Sequence, residues 1–175
     1  MESLIEQNEF TLAAMTAVLV SNDLHYVHLL AQGKDFDKSH NLAQEYYELI
    51  DEEVDYLMEL AIEVGAPVYN YSVAGDIVSD YAIEDDGSYD YETVIEVIKN
   101  KIAVYITALK DLRQYTEDNS IQSRLDDMIR DWEKELYYKL ARRTESTPVN
   151  TFVNTGLDER VSNWAILTEK EKEDY

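Results

Sequence analysis

The amino-acid sequence predicts an all-α protein, a bundle of four long helices in one domain. Three observations support this fold class. Only 5 glycines and 2 prolines occur among 175 residues, so long helices can run without interruption. Apolar residues recur at spacings of three and four over four long segments, which is the period of an amphipathic helix. A hydrophobic content of 45% is enough to bury one substantial core.

The first two helices are bounded by glycine, serine and proline. The first is predicted from about Glu9 to Gln32, and Gly33 is expected to cap its C-terminus. The second is predicted to begin at Ser39 as N-cap and to end before Gly65 and Pro67. Its apolar stripe comprises Leu42, Tyr46, Ile50, Val54, Leu57 and Ala61.

The second half of the bundle follows a long connection. Residues Val68 to Tyr89, with a short helical piece at Gly75 to Ala82, are long enough to cross the bundle. The third helix is predicted from Asp90 to Tyr115 and the fourth from Ile121 to Arg143, with Asp118-Asn119-Ser120 ending one and capping the next. A single long connection between the second and third helices is typical of a ferritin-like bundle rather than of an up-down-up-down bundle.

The pattern lapses after the fourth helix, so residues 1–147 are expected to form the bundle and residues 148–175 an extension. Part of this extension should dock on its own or a neighbouring subunit, because Phe152, Val153, Trp164 and Ile166 are too apolar for a free tail.

The charge balance narrows the classes of partner. Aspartate and glutamate number 37 against 15 lysines and arginines, a formal net charge of -22. Such a surface repels nucleic acid and attracts cations, although solubility alone is a simpler explanation of the excess of acidic residues. The absence of cysteine excludes disulfides and zinc–thiolate sites. With no apolar run long enough for a membrane span and no positively charged leader, we expect a cytoplasmic protein.

The chemistry-bearing residues lie between His25 and Pro67, a segment that holds all three histidines. His28, His40, Asp55 and Glu59 form a set of imidazoles and carboxylates that suits a divalent metal such as iron or manganese. Asp51, Asp55 and Glu59 follow one another at i,i+4 spacing, and a solvated acidic face is the alternative interpretation. His25 is assigned to the surface or an interface, with an outer role at the metal as the alternative.

This segment resembles the Dps-type mini-ferritins, the DNA-protection-during-starvation proteins. In that family the first helix ends in a pattern like H-W-x-x-x-G and a second histidine follows. Here His28 is followed by Leu29, Gly33 stands at the matching place, and His40 comes 12 residues after His28. Asp55 and Glu59 match the family's D-x-x-x-E spacing. The likeness covers residues 9 to 143.

The resemblance implies a homododecamer that binds Fe(II) at two-fold subunit interfaces. It would oxidise the iron with hydrogen peroxide in preference to oxygen, and store the ferric product inside the shell. His28 and His40 would come from one subunit, and Asp55 and Glu59 from its partner. The resemblance also implies an acidic three-fold pore lined by Asp118 and Asp127, with Ser123 where the family has a further acid. A capping role for Asp118 and a solvated position for Asp127 are the alternatives.

Two departures from the family pattern leave a second function open. The acid usually found four residues after the second histidine is Gln44, a neutral ligand, and the aromatic residue after the first histidine is Leu29. Asp51 is a further candidate that could compensate. The alternative is therefore a Dps-like shell with a weak or inactive ferroxidase site, acting in structural protection or partner binding.

Other classes fit the sequence less well. The family's DNA binding often depends on lysine-rich tails, whereas this chain has no Lys or Arg before Lys34, so direct DNA binding is expected to be weak. Other ferritins use E-x-x-H, and no glutamate stands three residues before any histidine here. Phosphate loops and nucleophile elbows are not found in the sequence. A monomeric helical adaptor remains a third possibility.

Overall fold

The computed structural model describes residues 8–78 and 89–143. Within them the helices are α1 (Glu9–Leu30), α2 (Phe36–Glu63), α3 (Ala74–Ile77), α4 (Tyr91–Tyr115) and α5 (Asn119–Lys134). A 3₁₀ turn, Tyr71–Val73, precedes α3, and a π turn, Glu135–Lys139, and a 3₁₀ turn, Leu140–Arg142, continue α5. The predicted all-α class is confirmed. The extension at 148–175 and the boundary at 147 lie outside the described residues.

The directions of α1, α2 and α4 follow from contacts at their ends. His40 near the start of α2 touches His28 at the end of α1, so the two helices are antiparallel. The connection from α2 to α4 starts and ends at opposite ends of α1, because the Thr11 hydroxyl donates to the carbonyl of Pro67 and Gln32 N–H donates to the carbonyl of Tyr89. α4 ends where α1 begins, with Tyr115 packed edge-on against Phe10. α2 and α4 are therefore parallel, which is the ferritin-like arrangement.

α1 lies at the centre of this arrangement and packs against both α2 and α4. Its small residues, which include Ala13, Ala14 and Ala17, are buried and let the neighbouring backbones approach closely. Because α1 is buried on nearly all faces, it lacks the clear amphipathic stripe of the other long helices. In the described part of the chain, none of the helices is both long enough and apolar enough to cross a lipid bilayer.

The predicted N-cap of α2 was wrong. The helix begins at Phe36 with Asp35 at the N-cap, and Ser39 is buried one turn inside, its hydroxyl donating to the carbonyl of Asp35. Sequence rules favour a hydroxyl just before the first apolar residue, but here the ring of Phe36 packs on His40 and the helix starts earlier. The predicted end is confirmed: Gly65 has φ 75°, where glycine is favoured.

The other helix boundaries differ less from the predicted ones. α1 ends with Ala31 as C-cap, and Gly33 lies two residues later with φ 96°. The short helix begins at Ala74, and its predicted end at Ala82 is outside the described residues. The fourth helix was predicted as continuous to Arg143, whereas the structure has a π turn from residue 135. Asp118 caps α5, as predicted, by accepting from the N–H groups of Ser120 and Ile121.

Candidate metal centre

His28 and His40 bind each other's backbone. Nδ1 of His28 lies 3.0 Å from the carbonyl oxygen of His40, and Nδ1 of His40 lies 2.9 Å from the carbonyl oxygen of His28. The two imidazole rings stack with centroids 3.6 Å apart. This reciprocal pair joins the end of α1 to the start of α2, and the turn at Gly33 brings the two backbones close enough to form it.

The hydrogen bonds determine the tautomer of both rings. A carbonyl oxygen can only accept, so each Nδ1 must carry the proton that it donates. In the neutral ring the lone pair is then on Nε2, and neither Nε2 has a hydrogen-bond partner among the described residues. Metal-binding histidines almost always donate their other ring N–H in this way. The pair therefore presents two imidazole nitrogens ready for a metal.

Other aromatic side chains surround the pair. Phe36 stacks on His40 with centroids 5.0 Å apart, and Tyr47 meets His28 edge-on at 5.5 Å. His25 packs on Tyr47 at 4.6 Å and is exposed, in agreement with its assignment to the surface. Leu29, at the place of the family's aromatic residue, is 64% exposed. Phe36 therefore supplies the nearby aromatic ring that Leu29 does not.

Gln44 lies one turn after His40 on α2, as the sequence spacing required. Its side-chain amide donates to Oε1 of Glu48 at 2.7 Å. Both line an acidic groove of about 340 Å³ with Asn41, Glu45, Leu49 and Glu52. In this protomer Gln44 thus acts as a hydrogen-bond donor toward a carboxylate.

The acidic candidates lie further along α2. Asp51, Asp55 and Glu59 are exposed. Partial burial raises the pKa of the nearby Tyr71 phenol, and the charges of Asp55 and Asp51 add to that shift. Asp55 follows His40 by 15 residues, which is about 22 Å along a helix axis. One protomer therefore does not bring the histidines and these acids together. Across the described residues, no three His, Asp or Glu side chains meet as a metal site.

The two pore candidates have partners within the protomer. The carboxylate of Asp118 accepts from the hydroxyl and N–H of Ser120 and from the N–H of Ile121, and these bonds lower its pKa. Asp127 pairs with Arg130 at 2.8 Å. Both carboxylates keep solvent exposure. Their place in a pore stays a prediction, because it depends on other copies of the chain.

A partly buried carboxylate was missed at the sequence level. Glu53 on α2 accepts hydrogen bonds from the phenol of Tyr105 on α4 and from the indole of Trp132 on α5. Burial raises the pKa of the Glu53 carboxyl, while the two donors oppose that shift. Glu53 stands three residues after Ile50 and four before Leu57, both in the apolar stripe. The signal available in the sequence was an acidic residue at the spacing of the apolar stripe.

A buried ion pair was missed as well. Lys101 Nζ on α4 lies 2.7 Å from the Asp23 carboxylate on α1, and the side chains are 7% and 15% exposed. Burial lowers the pKa of the Lys101 ammonium, and the charge of Asp23 opposes that shift. Lys101 stands three residues after Ile98 and four before Tyr105, so the sequence signal was a lysine at the spacing of the buried face.

Comparisons with known proteins bear on the fold. No protein-family model matches the chain, and no curated protein sequence matches it. Among solved structures, the chain is similar to the crystal structure of a Dps protein from Bacillus brevis, with a TM-score of 0.66 and 20% sequence identity. The match covers 83% of this chain and 100% of that chain. The predicted Dps-type, ferritin-like fold is thereby confirmed.

Proposed function

We propose that this chain is a Dps-like mini-ferritin that binds Fe(II), oxidises it with hydrogen peroxide in preference to oxygen, and stores the ferric product within a homo-oligomeric shell. The observation that carries the proposal is the reciprocal hydrogen bonding of His28 and His40. It orients two adjacent imidazoles so that each has a free Nε2, and such a pair is suited to a divalent transition metal.

The rest of the donor set comes from a second copy of the chain. Asp55 and Glu59 lie too far along α2 to reach the histidines of the same protomer, whereas a two-fold axis would place one copy's acids against the other copy's histidines. Such a site combines two neutral imidazoles with two carboxylates. The carboxylates balance the charge of Fe(II) and offset part of the charge gained on oxidation to Fe(III).

Exposed apolar side chains support an interface at both half-sites. Leu29 and Phe36 are 64% and 43% exposed beside the histidine pair. Ile62 and Val64 are 64% and 44% exposed just beyond Glu59. Large apolar side chains gathered around functional residues are typical of a protein–protein contact. A dodecamer, with metal sites at its two-fold interfaces, is the assembly that we propose.

The charge of the chain supports a cation substrate. A net charge of -22 per copy is multiplied in a shell, which concentrates Fe(II) and repels DNA phosphate. We therefore propose that any protection of DNA is indirect, through removal of iron and peroxide.

One observation favours a second candidate, a Dps-like shell whose ferroxidase site is weak or inactive. Gln44 has no charge to offer a metal, and its amide donates to Glu48. If that hydrogen bond persists in the assembly, the histidine half-site has one carboxylate fewer than the family pattern. The shell would then act through structure or partner binding.

Anaerobic Fe(II) mixed with hydrogen peroxide separates the two candidates. The wild-type protein should form ferric product, followed by absorbance, faster than buffer alone. His28→Ala and Asp55→Ala should each abolish the difference, whereas His25→Ala, in an exposed neighbouring histidine, should retain most of it. Wild-type kinetics equal to those of buffer would overturn the ferroxidase proposal and leave the inactive shell.

A further inference from the structure

A groove separates α2 from α5 on one side of the bundle. It encloses about 310 Å³, close to the size of a small ligand pocket, and Leu49 and Trp132 supply its apolar surface. Leu49 is 37% exposed, although it follows the buried Tyr46 by less than one turn of α2. A large apolar side chain that stays half-exposed inside a groove, between helices whose other apolar residues are buried, indicates a surface that another group covers.

Acidic side chains line both sides of this groove. Glu52 lies on the α2 side and Asp131 on the α5 side, and Arg124 is the one basic residue among those that line it. Glu52 and Asp131 are both exposed, and the contact of Asp131 with Arg130 is long, at 3.4 Å. Carboxylate oxygens only accept hydrogen bonds, so the groove favours an occupant that is uncharged and rich in N–H and O–H donors. An acidic occupant would be repelled.

The polypeptide leaves the described bundle at one end of this groove. The Tyr46 hydroxyl on α2 donates to Glu135. Further along α2, Glu53 accepts from Trp132, which precedes Glu135 on α5, so the two helices run in opposite directions. The residues after Glu135 therefore continue along the groove towards the start of α2. Arg143, the last described residue, lies eight residues beyond Glu135, which is roughly 12 Å of helix.

The sequence just beyond Arg143 suits such a groove. Residues 146–157, STPVNTFVNTGL, carry no charge, in a chain of which 30% is charged. Their β-branched side chains and the proline near their start favour an extended backbone, in which alternate side chains face the same way. Asn150, Phe152 and Asn154 then share one side, an aromatic ring between two amides. The nine residues from Arg143 to Phe152 span up to about 30 Å when extended, more than the groove requires.

We propose that residues 148–155 bind in this groove of their own chain as an extended segment. The Phe152 ring packs on the apolar surface, and the side-chain amides of Asn150 and Asn154 donate to the carboxylates on the two sides. Both parts of the groove are thereby matched, the apolar surface by an aromatic ring and the acceptors by donors. The acidic stretch 169–175 would be repelled by the same carboxylates and is not the occupant. The bound segment closes the groove and fixes the start of the extension on the bundle.

Chymotrypsin digestion of the full-length protein tests where Phe152 lies. The protease must take this ring into its own pocket before it cleaves, so a bound Phe152 is protected. Cleavage after Phe152, followed by mass spectrometry, should be at least roughly tenfold slower in the protein than in a synthetic peptide of residues 146–157. Leu49→Asp should raise the cleavage rate roughly tenfold, because it removes an apolar contact and adds a charge to the groove. Val68→Asp is the matched control, since Val68 is also 37% exposed but lies beyond the end of α2, and it should leave the rate unchanged.

Disulfide trapping identifies the chain to which the bound segment belongs. The protein has no cysteine, so Glu52→Cys combined with Asn150→Cys provides the only two thiols. Their disulfide should form within one chain, which runs as a monomer on a denaturing non-reducing gel, at least roughly tenfold faster than in Val68→Cys with Asn150→Cys. Circular dichroism and gel filtration verify the fold and assembly of each variant. Cleavage at Phe152 as fast as in the peptide, protection unchanged in Leu49→Asp, or cross-linking between chains alone would overturn the proposal. Neither measurement uses iron, so these outcomes are independent of the proposed function.

Discussion

The backbone carbonyls of His28 and His40 decide which nitrogen of each ring faces outward. Nδ1 of each ring donates to the backbone carbonyl of the other histidine. Neither imidazole can therefore rotate away without breaking its hydrogen bond to the other residue's backbone. The pair is thus held in place without a metal, which would lower the entropic cost of binding the proposed metal ion. Phe36 adds a third stacked ring on the outer side of His40.

Gln44 offers a test at this scale. In Gln44→Glu the new carboxylate would face Glu48 at i,i+4 spacing, so the metal-free protein should lose a few tenths of a kcal/mol of unfolding free energy. A cation relieves that repulsion, and we expect Fe(II) binding to tighten by roughly tenfold, comparable to other changes around metal ligands. Denaturant titration and anaerobic calorimetry measure the two effects.

Gln114→Glu is the control for added charge, because it lies near Glu9 at the opposite end of the bundle. It should leave Fe(II) affinity unchanged. Equal tightening in both variants would mean that Gln44→Glu acts through net charge, and unchanged affinity in Gln44→Glu would remove Gln44 from the metal centre.

At the scale of the helices, apolar periodicity predicted most of what the structure has. The extent of α2 and α4 was predicted closely because each helix carries a stripe of apolar residues, such as Ile50 and Val54 on α2, that must face one core. The early start of α2 was missed because Asp35 and Ser39 are both favoured N-cap residues, and the stacking of Phe36 on His40, at i,i+4 spacing, accompanies the earlier start. The π turn at residue 135 has no periodic signal that distinguishes it from ordinary helix.

The site was predictable in part for similar reasons. Only the resemblance to mini-ferritins put His28 and His40 in the same half-site, and the structure brings the two rings together across the turn at Gly33. The exchange of hydrogen bonds with backbone carbonyls depends on the separation of two helices, which spacing does not specify. Glu53 was overlooked because acids are common in this chain, so one more at an apolar spacing did not stand out.

The Lys101–Asp23 pair makes a prediction about helix packing between α4 and α1. Lys101→Met should lower the free energy of unfolding by about 3 kcal/mol, because it leaves the Asp23 carboxylate buried beside an apolar chain. Adding Asp23→Leu should recover most of that loss, since both charges are then gone. Urea denaturation of the single and double variants measures both values.

Lys38→Met is the control, because it breaks the exposed pair with Asp35, in which the lysine is 70% exposed. It should cause no measurable change. A Lys101→Met protein as stable as the wild type would show that the buried pair contributes nothing to the packing of α4 on α1.

At the scale of the whole molecule, the proposed division into two half-sites agrees with the lack of a complete metal site among the described residues of one protomer. α2 carries His40 near its start and the carboxylates Asp55 and Glu59 near its end, and its length keeps them apart. Two copies related by a two-fold axis would form two sites at once, because an isologous interface repeats every contact. Activity would then depend on assembly and be lost on dilution to protomers.

Complementation between two inactive variants tests this division most directly. One chain carries His28→Ala and His40→Ala, and the other carries Asp55→Ala and Glu59→Ala. Each alone should fail to oxidise Fe(II) with peroxide. Co-assembled in equal amounts, they should recover about a quarter of wild-type activity, because random pairing makes half of the dimers mixed and each mixed dimer has one intact site. Mixed assemblies, verified by mass spectrometry, that stay inactive beside an active wild type would contradict a site shared between subunits.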